Sequence, residues 1–247
     1  MNKRLSIFFS MLLVLSMFLA ACSGGGDNAD GGDKGGDDGG KSDVPQELRV
    51  NINTEPPSLN PGLAQDSTSG TVLRNVLEGL TRINQDGKPE NAMAEDIKIS
   101  EDGKTYTFTI RDAKWSNEDP VTAKDFEYAW KWALDPANNS TYAYQLYYIE
   151  GAEAFNTGKG EKDAVGVKAI DDKTLEVKLV NPTPYFEELT AFYTYLPVNS
   201  KIAEANPEWA TDAGENFTTN GPFHMVEWSH SDKIVLEKSK TYWDAET

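Results

Sequence analysis

Apolar positions change their spacing several times along the chain, and each change predicts an element. Residues 47–53, ELRVNIN, alternate with Leu48, Val50 and Ile52 on one face, which predicts a half-buried strand. TEPPSLNPG follows, and its three prolines force an extended, turning path. In TVLRNVLEGL, Val72, Leu73, Val76, Leu77 and Leu80 fall at helical spacing behind a Ser/Thr/Gly cluster able to cap a helix. Two hairpins of period two come next. In the first, IKIS leads through EDGK into TYTFTI, with Tyr106, Phe108 and Ile110 facing one way and Thr105, Thr107 and Thr109 the other. In the second, VGVKAI leads through DDK into TLEVKLV, aligning Leu175, Val177 and Leu179. Two copies so far apart read as parts of mixed sheets rather than a repeat array.

Between the hairpins lies KWSNEDPVTAKDFEYAWKWALDP, residues 114–136. Thr122 is a good N-cap with Asp125 three residues on, and Val121 and Phe126 occupy the two positions of a hydrophobic staple. Phe126, Trp130 and Ala133 or Leu134 then share one apolar face. Asp135-Pro136 stops the helix, because the residue before proline avoids helical geometry. Most of these aromatics are therefore expected in the core, with a ligand cage as the minority reading. Beyond Asn181 the pattern predicts a short helix after Pro184, a polar helix in SKIAEANPEWA, a turn at Asn220-Gly221-Pro222, and a strand pair from HMVEW and KIVLEKS. The chain then stops at TYWDAET, which reads as a cut rather than a finish.

The first 43 residues follow different rules. A basic start (Lys3, Arg4), an apolar run over 5–19 and small residues before Cys22 form the three-part layout of an export signal. The run is short for a membrane span. Leu19-Ala20-Ala21-Cys22 resembles a lipobox, in which the cysteine is lipidated and becomes the new N-terminus. That expectation also accounts for a single cysteine in an exported chain, where a disulfide partner would otherwise be expected. Residues 23–43 are dominated by Gly and Asp and cannot bury enough apolar surface to offset chain entropy, so a disordered tether of roughly 25 Å is expected. The spacing of its acids follows no calcium-loop pattern.

With 247 residues and a formal charge of −17, the chain is long enough for one or two domains and strongly acidic. Its field repels phosphate, which argues against nucleic-acid partners and favours a soluble monomer. Catalytic motifs are missing: there is no G-x-S-x-G, Walker A, dinucleotide G-x-G-x-x-G or H-E-x-x-H. His224 and His230 share a face by strand alternation. A metal pair and a structural or exposed pair both stay open, the second preferred because no further ligand is obvious nearby. No enzyme activity, cofactor or metal is expected.

The stretch AEDIKISEDGKTYTFTIRDAKWSNEDPVTAKDFEYAW resembles the signature region of extracytoplasmic solute-binding proteins of the peptide/nickel class. SLNP, VLEGL, LDP, VGVKAIDDKTLEVKL, PTPYF, TNGPF and YWD support it in order, covering about 44–244. One departure is Glu118, where the family usually has Gly in the turn. The resemblance implies an α/β, periplasmic-binding-protein-like fold (class II, peptide-binding type), incomplete, with part of domain I plus domain II and with domain III absent. It divides the chain into a lipoprotein signal peptide at 1–21, lipidated Cys22 and tether at 22–43, a first segment of domain I at 44–77, domain II at 78–199, and domain I resuming at 200–247.

The function implied is capture of extracellular oligopeptides by a lipid-anchored protein on the outer face of a bacterial cytoplasmic membrane. Delivery then goes to the permease subunits of an ABC importer. Main-chain hydrogen bonding, as in strand addition, suits such sequence-tolerant binding. By family position, Gln65, Asp66, Ser67 and Thr68 present the loop that meets the peptide, Tyr142 contacts it, and Asn220 and Gly221 line the cleft floor. The family's anchor for the peptide amino terminus lies in domain III, so the 247-residue chain alone is expected to bind peptide weakly. Alternatives are the same scaffold tuned to a nickel chelate, haem or a signalling peptide, or a surface adhesin or sensor without transport.

Overall fold

A computed structural model of the chain describes residues 46–246. The signal peptide, Cys22, the tether and the start at Val44 lie outside the described residues. Contacts divide the chain into two units, 1–49 and Val50–Thr247. Of the first unit only 46–49 is described, and it is exposed without regular structure. The fold that follows is that of the second.

Helix α1 (Ser67–Val76) is the first helix among the described residues. A small hairpin, β1 (Thr81–Ile83) and β2 (Pro89–Asn91), follows through a turn in which Asn84 accepts the Gly87 amide and Gly87 takes a φ of +74°. The main sheet has four strands: β3 (Ala94–Ile99), β4 (Thr105–Ile110), β5 (Val167–Ala169) and β6 (Thr174–Lys178). Between β4 and β5 run α2 (Ala123–Leu134) and the short α3 (Ala152–Asn156). After the sheet come α4 (Phe186–Leu189), α5 (Ser200–Ala205) and the strand pair β7 (Phe223–Ser229) and β8 (Lys233–Lys238).

Strand order in the main sheet is β3-β4-β6-β5, and every pairing is antiparallel. This corrects the expectation of mixed sheets: the two hairpins zip together, with Tyr106 opposite Val177 and Phe108 opposite Leu175. Their alternation explains why. Tyr106, Phe108, Ile110, Leu175 and Val177 all point to one buried face, so joining the hairpins edge to edge makes a single apolar layer. Helix α2 covers that layer, and its Phe126, Trp130, Ala133 and Leu134 are fully buried. Burial of each large side chain stabilises the fold by roughly 2–3 kcal/mol.

The start of α2 is fixed as the pattern predicted. The Thr122 amide donates to Asp125 Oδ2 at 2.9 Å, while Val121 and Phe126 are both fully buried. Asp125 does more than cap. It also accepts Trp115 Nε1 at 3.2 Å, the Ser200 amide at 2.9 Å and Ser200 Oγ at 2.8 Å, which ties the turn before α2 and the start of α5 to one buried carboxylate. In that turn Glu118 takes a φ of +69°, the left-handed region where a side chain is strained and glycine is not.

Three expectations need correction. Residues 47–53 form no strand; Leu48 is 87% and Val50 65% exposed. Alternation specifies only a face to be covered, and a strand also needs a hydrogen-bonding neighbour, which the described residues do not supply here. Helix α1 ends at Val76, with Leu77 extended (φ −124°, ψ 150°), so Leu77 and Leu80 are buried from outside the helix. The polar helix stops at Ala205, because Asn206 precedes Pro207.

Candidate functional site

Helix α1 begins with Asp66, not with the Ser/Thr/Gly cluster. Asp66 Oδ1 accepts the Ser69 amide at 2.9 Å and Oδ2 accepts Ser69 Oγ at 2.8 Å, so the carboxylate closes the first turn. Thr68 Oγ1 donates to the Ile52 carbonyl at 3.2 Å, anchoring the preceding proline-rich segment. Gln65 and Ser67 stay exposed beside these fixed neighbours. The result is a polar shoulder with a rigid base.

Tyr142 stands on another element, at the entrance of the 3₁₀ turn Ala143–Leu146. Its ring stacks against Tyr193 with centroids 6.1 Å apart and planes at 13°, and against Phe192 at 6.3 Å and 21°. Tyr144 meets it edge-on at 5.6 Å and is 51% exposed. Four rings thus form an aromatic ledge. Tyr193 is the buried member and joins the ledge to α1. A Cβ built on Gly70 would lie 2.9 Å from Tyr193 Cδ1 and Cε1, so the tyrosine ring packs directly on the helix backbone. Burial, the neighbouring Tyr142 hydroxyl and the Asp66 carboxylate push the Tyr193 phenol up to about 12, with Arg74 opposing them.

The Gln65–Thr68 stretch and Tyr142 therefore converge through Tyr193. Sequence reading passed over Phe192, Tyr193 and Tyr144. A helical glycine at position 70 was the available signal, since glycine inside a helix costs about 1 kcal/mol against alanine unless close approach needs it.

Asn220 and Gly221 sit elsewhere, at the far end of α1, which rises roughly 15 Å over its ten residues. The Glu78 amide donates to Asn220 Oδ1 and Asn220 Nδ2 donates to the Glu78 carbonyl, both at 3.0 Å. The Gly221 amide donates to the Val76 carbonyl at 3.0 Å, and a Cβ there would lie 2.7 Å from the Val76 carbonyl carbon. These two residues are engaged with protein backbone. Beside them the Glu78 side chain, 6% exposed, accepts Tyr242 Oη at 2.7 Å and Trp243 Nε1, with Arg82 at 3.3 Å. Burial raises the Glu78 pKa against these donors. Arg82 also pairs with Asp244 at 2.9 Å, and the Arg111 guanidinium lies 3.5 Å from the Trp243 ring centre. The Tyr-Trp-Asp triplet is thus a latch on the segment that leaves α1.

His230 lies past the end of β7 and bridges Glu55 (2.9 Å from Nδ1) and Asp212 (3.0 Å from Nε2). His224 sits within β7 opposite Glu237, and a bulge between Met225 and Glu227 interrupts the alternation that placed the two histidines on one face. Among the described residues no group of three or more His, Cys, Asp or Glu is placed to hold a metal ion, and no helix is long and apolar enough to cross a membrane.

This arrangement of a helix-covered antiparallel sheet joined to a second set of elements by a polar crossing is that of the periplasmic-binding-protein-like fold. The chain belongs to the bacterial extracellular solute-binding proteins, family 5, whose middle-region model matches residues 88–247. It is 62% identical over 245 residues to the oligopeptide-binding protein OppA of Bacillus subtilis (strain 168), a match covering 99% of this chain and 44% of that protein. Among solved structures it is similar to the substrate-binding domain of an oligopeptide ABC transporter from Bacillus anthracis, with a TM-score of 0.76 and 42% identity over 78% of this chain and 38% of that one. A Listeria monocytogenes OppA bound to peptide matches with a TM-score of 0.75 and 38% identity, over 78% of this chain and 39% of that one. The chain thus spans less than half the length of these relatives.

Proposed function

We propose that this chain contributes to the capture of extracellular oligopeptides and their delivery to the permease of an ABC importer, anchored to the membrane through lipid on Cys22. The domain division proposed is domain I at 44–77 and 200–247, and domain II at 78–199. The convergence of the Gln65–Thr68 shoulder and Tyr142 on Tyr193 carries the reading. It sets exposed polar groups of one segment beside an aromatic ledge of another, in which Tyr144 is exposed and Tyr142 and Phe192 are half-buried. Such a pairing suits an extended peptide: polar and backbone groups take its main chain, and the rings take its side chains with little demand on their identity. Kinship with a protein solved with peptide bound supports the choice of ligand. Asn220 and Gly221 act at the opposite end of α1, where they fix the backbone that leaves the helix.

The test is calorimetric titration of the full-length protein with tetra-alanine and tri-lysine, together with mass spectrometry of whatever co-purifies. Peptide in the purified protein and a tenfold or greater loss of affinity in Tyr142→Ala are expected. A nickel chelate, haem or other non-peptide solute in the cleft would sink the peptide assignment. Unimpaired growth of a deletion strain on peptides as sole amino-acid source would sink the transport assignment.

A further inference from the structure

We infer that Tyr193 is a positioning residue for ligand capture: it sets the distance and tilt of the Tyr142 ring relative to the polar shoulder at the start of α1. This rests on the peptide-binding function proposed above and goes beyond it by assigning a role to a residue that is itself buried.

Three observations converge on it. Tyr193 is buried beside half-buried Phe192 and half-buried Tyr142. Its ring is wedged between two elements. On one side it packs on Gly70, where even a methyl group would collide at 2.9 Å, and on the other it stacks nearly parallel to Tyr142. Helix α1 therefore cannot approach Tyr142 more closely than the thickness of this ring allows, nor rotate without moving it. Gly70 carries the cost of a glycine inside a helix so that the contact can exist.

The electrostatic surroundings agree. The Tyr193 phenol feels both the Tyr142 hydroxyl and the Asp66 carboxylate that caps α1, so one hydroxyl senses both halves of the site. Removing it leaves the ring's volume in place and takes away the group that acts on the Tyr142 hydroxyl. Affinity for peptide should fall without a matching loss of fold, because the packing against Gly70 survives.

A double-mutant cycle on the full-length protein tests this, read by calorimetric titration with tetra-alanine and tri-lysine. Tyr193→Phe and Tyr142→Phe are each expected to weaken binding about five- to tenfold, the scale of one hydrogen bond. The double variant is expected to be no weaker than about tenfold, because both changes break the same arrangement. The thermal midpoint of Tyr193→Phe should stay within about 2 °C of wild type. Multiplicative losses of about 25- to 100-fold in the double variant would overturn the inference and leave peptide capture standing. Failure of the wild type to bind either probe would remove the peptide function and this inference together. Gly70→Ala gives an independent arm, since it pushes the ring aside while keeping both phenols. Unchanged affinity in that variant also overturns the assignment, whatever the stability of Tyr193→Phe.

Discussion

The Asn220 side chain lies flat against the Glu78 backbone, 142 residues away in sequence, and exchanges two hydrogen bonds of 3.0 Å with it. One primary amide here does the work of a strand partner, offering an acceptor to the Glu78 N–H and a donor to its carbonyl. Both backbone groups are buried and have no water to fall back on. Asn220→Ala should therefore destabilise the fold by about 2–4 kcal/mol, the cost of two orphaned polar groups. Asn220→Asp should be no better, because it loses the donor and sets a carboxylate beside buried Glu78. Urea unfolding of the purified protein checks both, and a loss under about 0.5 kcal/mol in Asn220→Ala would show that the crossing is held by other contacts.

Asp125 concentrates more donors on one carboxylate. Its Oδ2 accepts from the Thr122 amide and Trp115 Nε1, and its Oδ1 takes both groups of Ser200. Asp125→Ala should cost about 3–5 kcal/mol, since a helix cap and a buried network fail together. Ser200→Ala removes only one hydroxyl donor and should cost about 1 kcal/mol. Near-equal losses in the two variants would contradict the account of Asp125 as the hub.

Glu118 predicts a gain. Its φ of +69° penalises any side chain, and its ion pair to Lys114, 2.7 Å long, is exposed on both sides. Such a surface pair contributes little. Glycine relieves about 1–2 kcal/mol of strain and returns part of it as unfolded-state entropy, so Glu118→Gly should stabilise by about 0.5–1 kcal/mol. The midpoint of thermal unfolding should rise by about 1–4 °C. A fall in that midpoint would mean the Lys114 pair outweighs the backbone strain.

The tip of the β7–β8 hairpin should loosen at both ends of the pH scale. Glu55 accepts the Ser231 amide, His230 Nδ1 and Trp228 Nε1, and these partners lower its pKa from the usual 4.5. Its contribution is present above 4.5 and is lost as pH falls through the lowered value. His230, whose ring nitrogens donate to Glu55 and Asp212 when charged, has its pKa raised from 6.5. Its contribution is complete below 6.5 and is lost as pH rises through the raised value. Between these limits both ions are present. Protection of the Ser231 amide from hydrogen exchange, corrected for intrinsic rate, should peak at about pH 5–6.5. His230→Gln should flatten the alkaline side, and an unchanged profile in that variant would contradict the linkage.

How legible the chain was depended on the range of each interaction. Capping at Thr122, the staple at Val121 and Phe126, and the inward faces of β4 and β6 are local, and all read correctly from spacing. What could not be read is where one local unit meets another. Alternation in the two hairpins gave each a buried face but not the edge-to-edge joining of β4 with β6. The same limit misplaced residues 47–53, whose pattern is that of a strand without naming its neighbour. For the candidate site, Gln65–Thr68 and Tyr142 were nominated by family resemblance alone. Tyr193, which packs between Gly70 of α1 and the Tyr142 ring, was missed because that contact joins segments far apart in the chain.

The four-stranded sheet and its covering helix come from one continuous stretch, residues 94–178, whereas the Asn220–Glu78 tie closes a loop of 142 residues. Shorter loops close at lower entropic cost and sooner. Assembly should thus have a built-in order, in which the sheet forms as a self-sufficient nucleus and the crossing at the C-terminal end of α1 locks last. The junction that holds the end of α1 would then be the final thing the polypeptide acquires on folding and the first it gives up under stress.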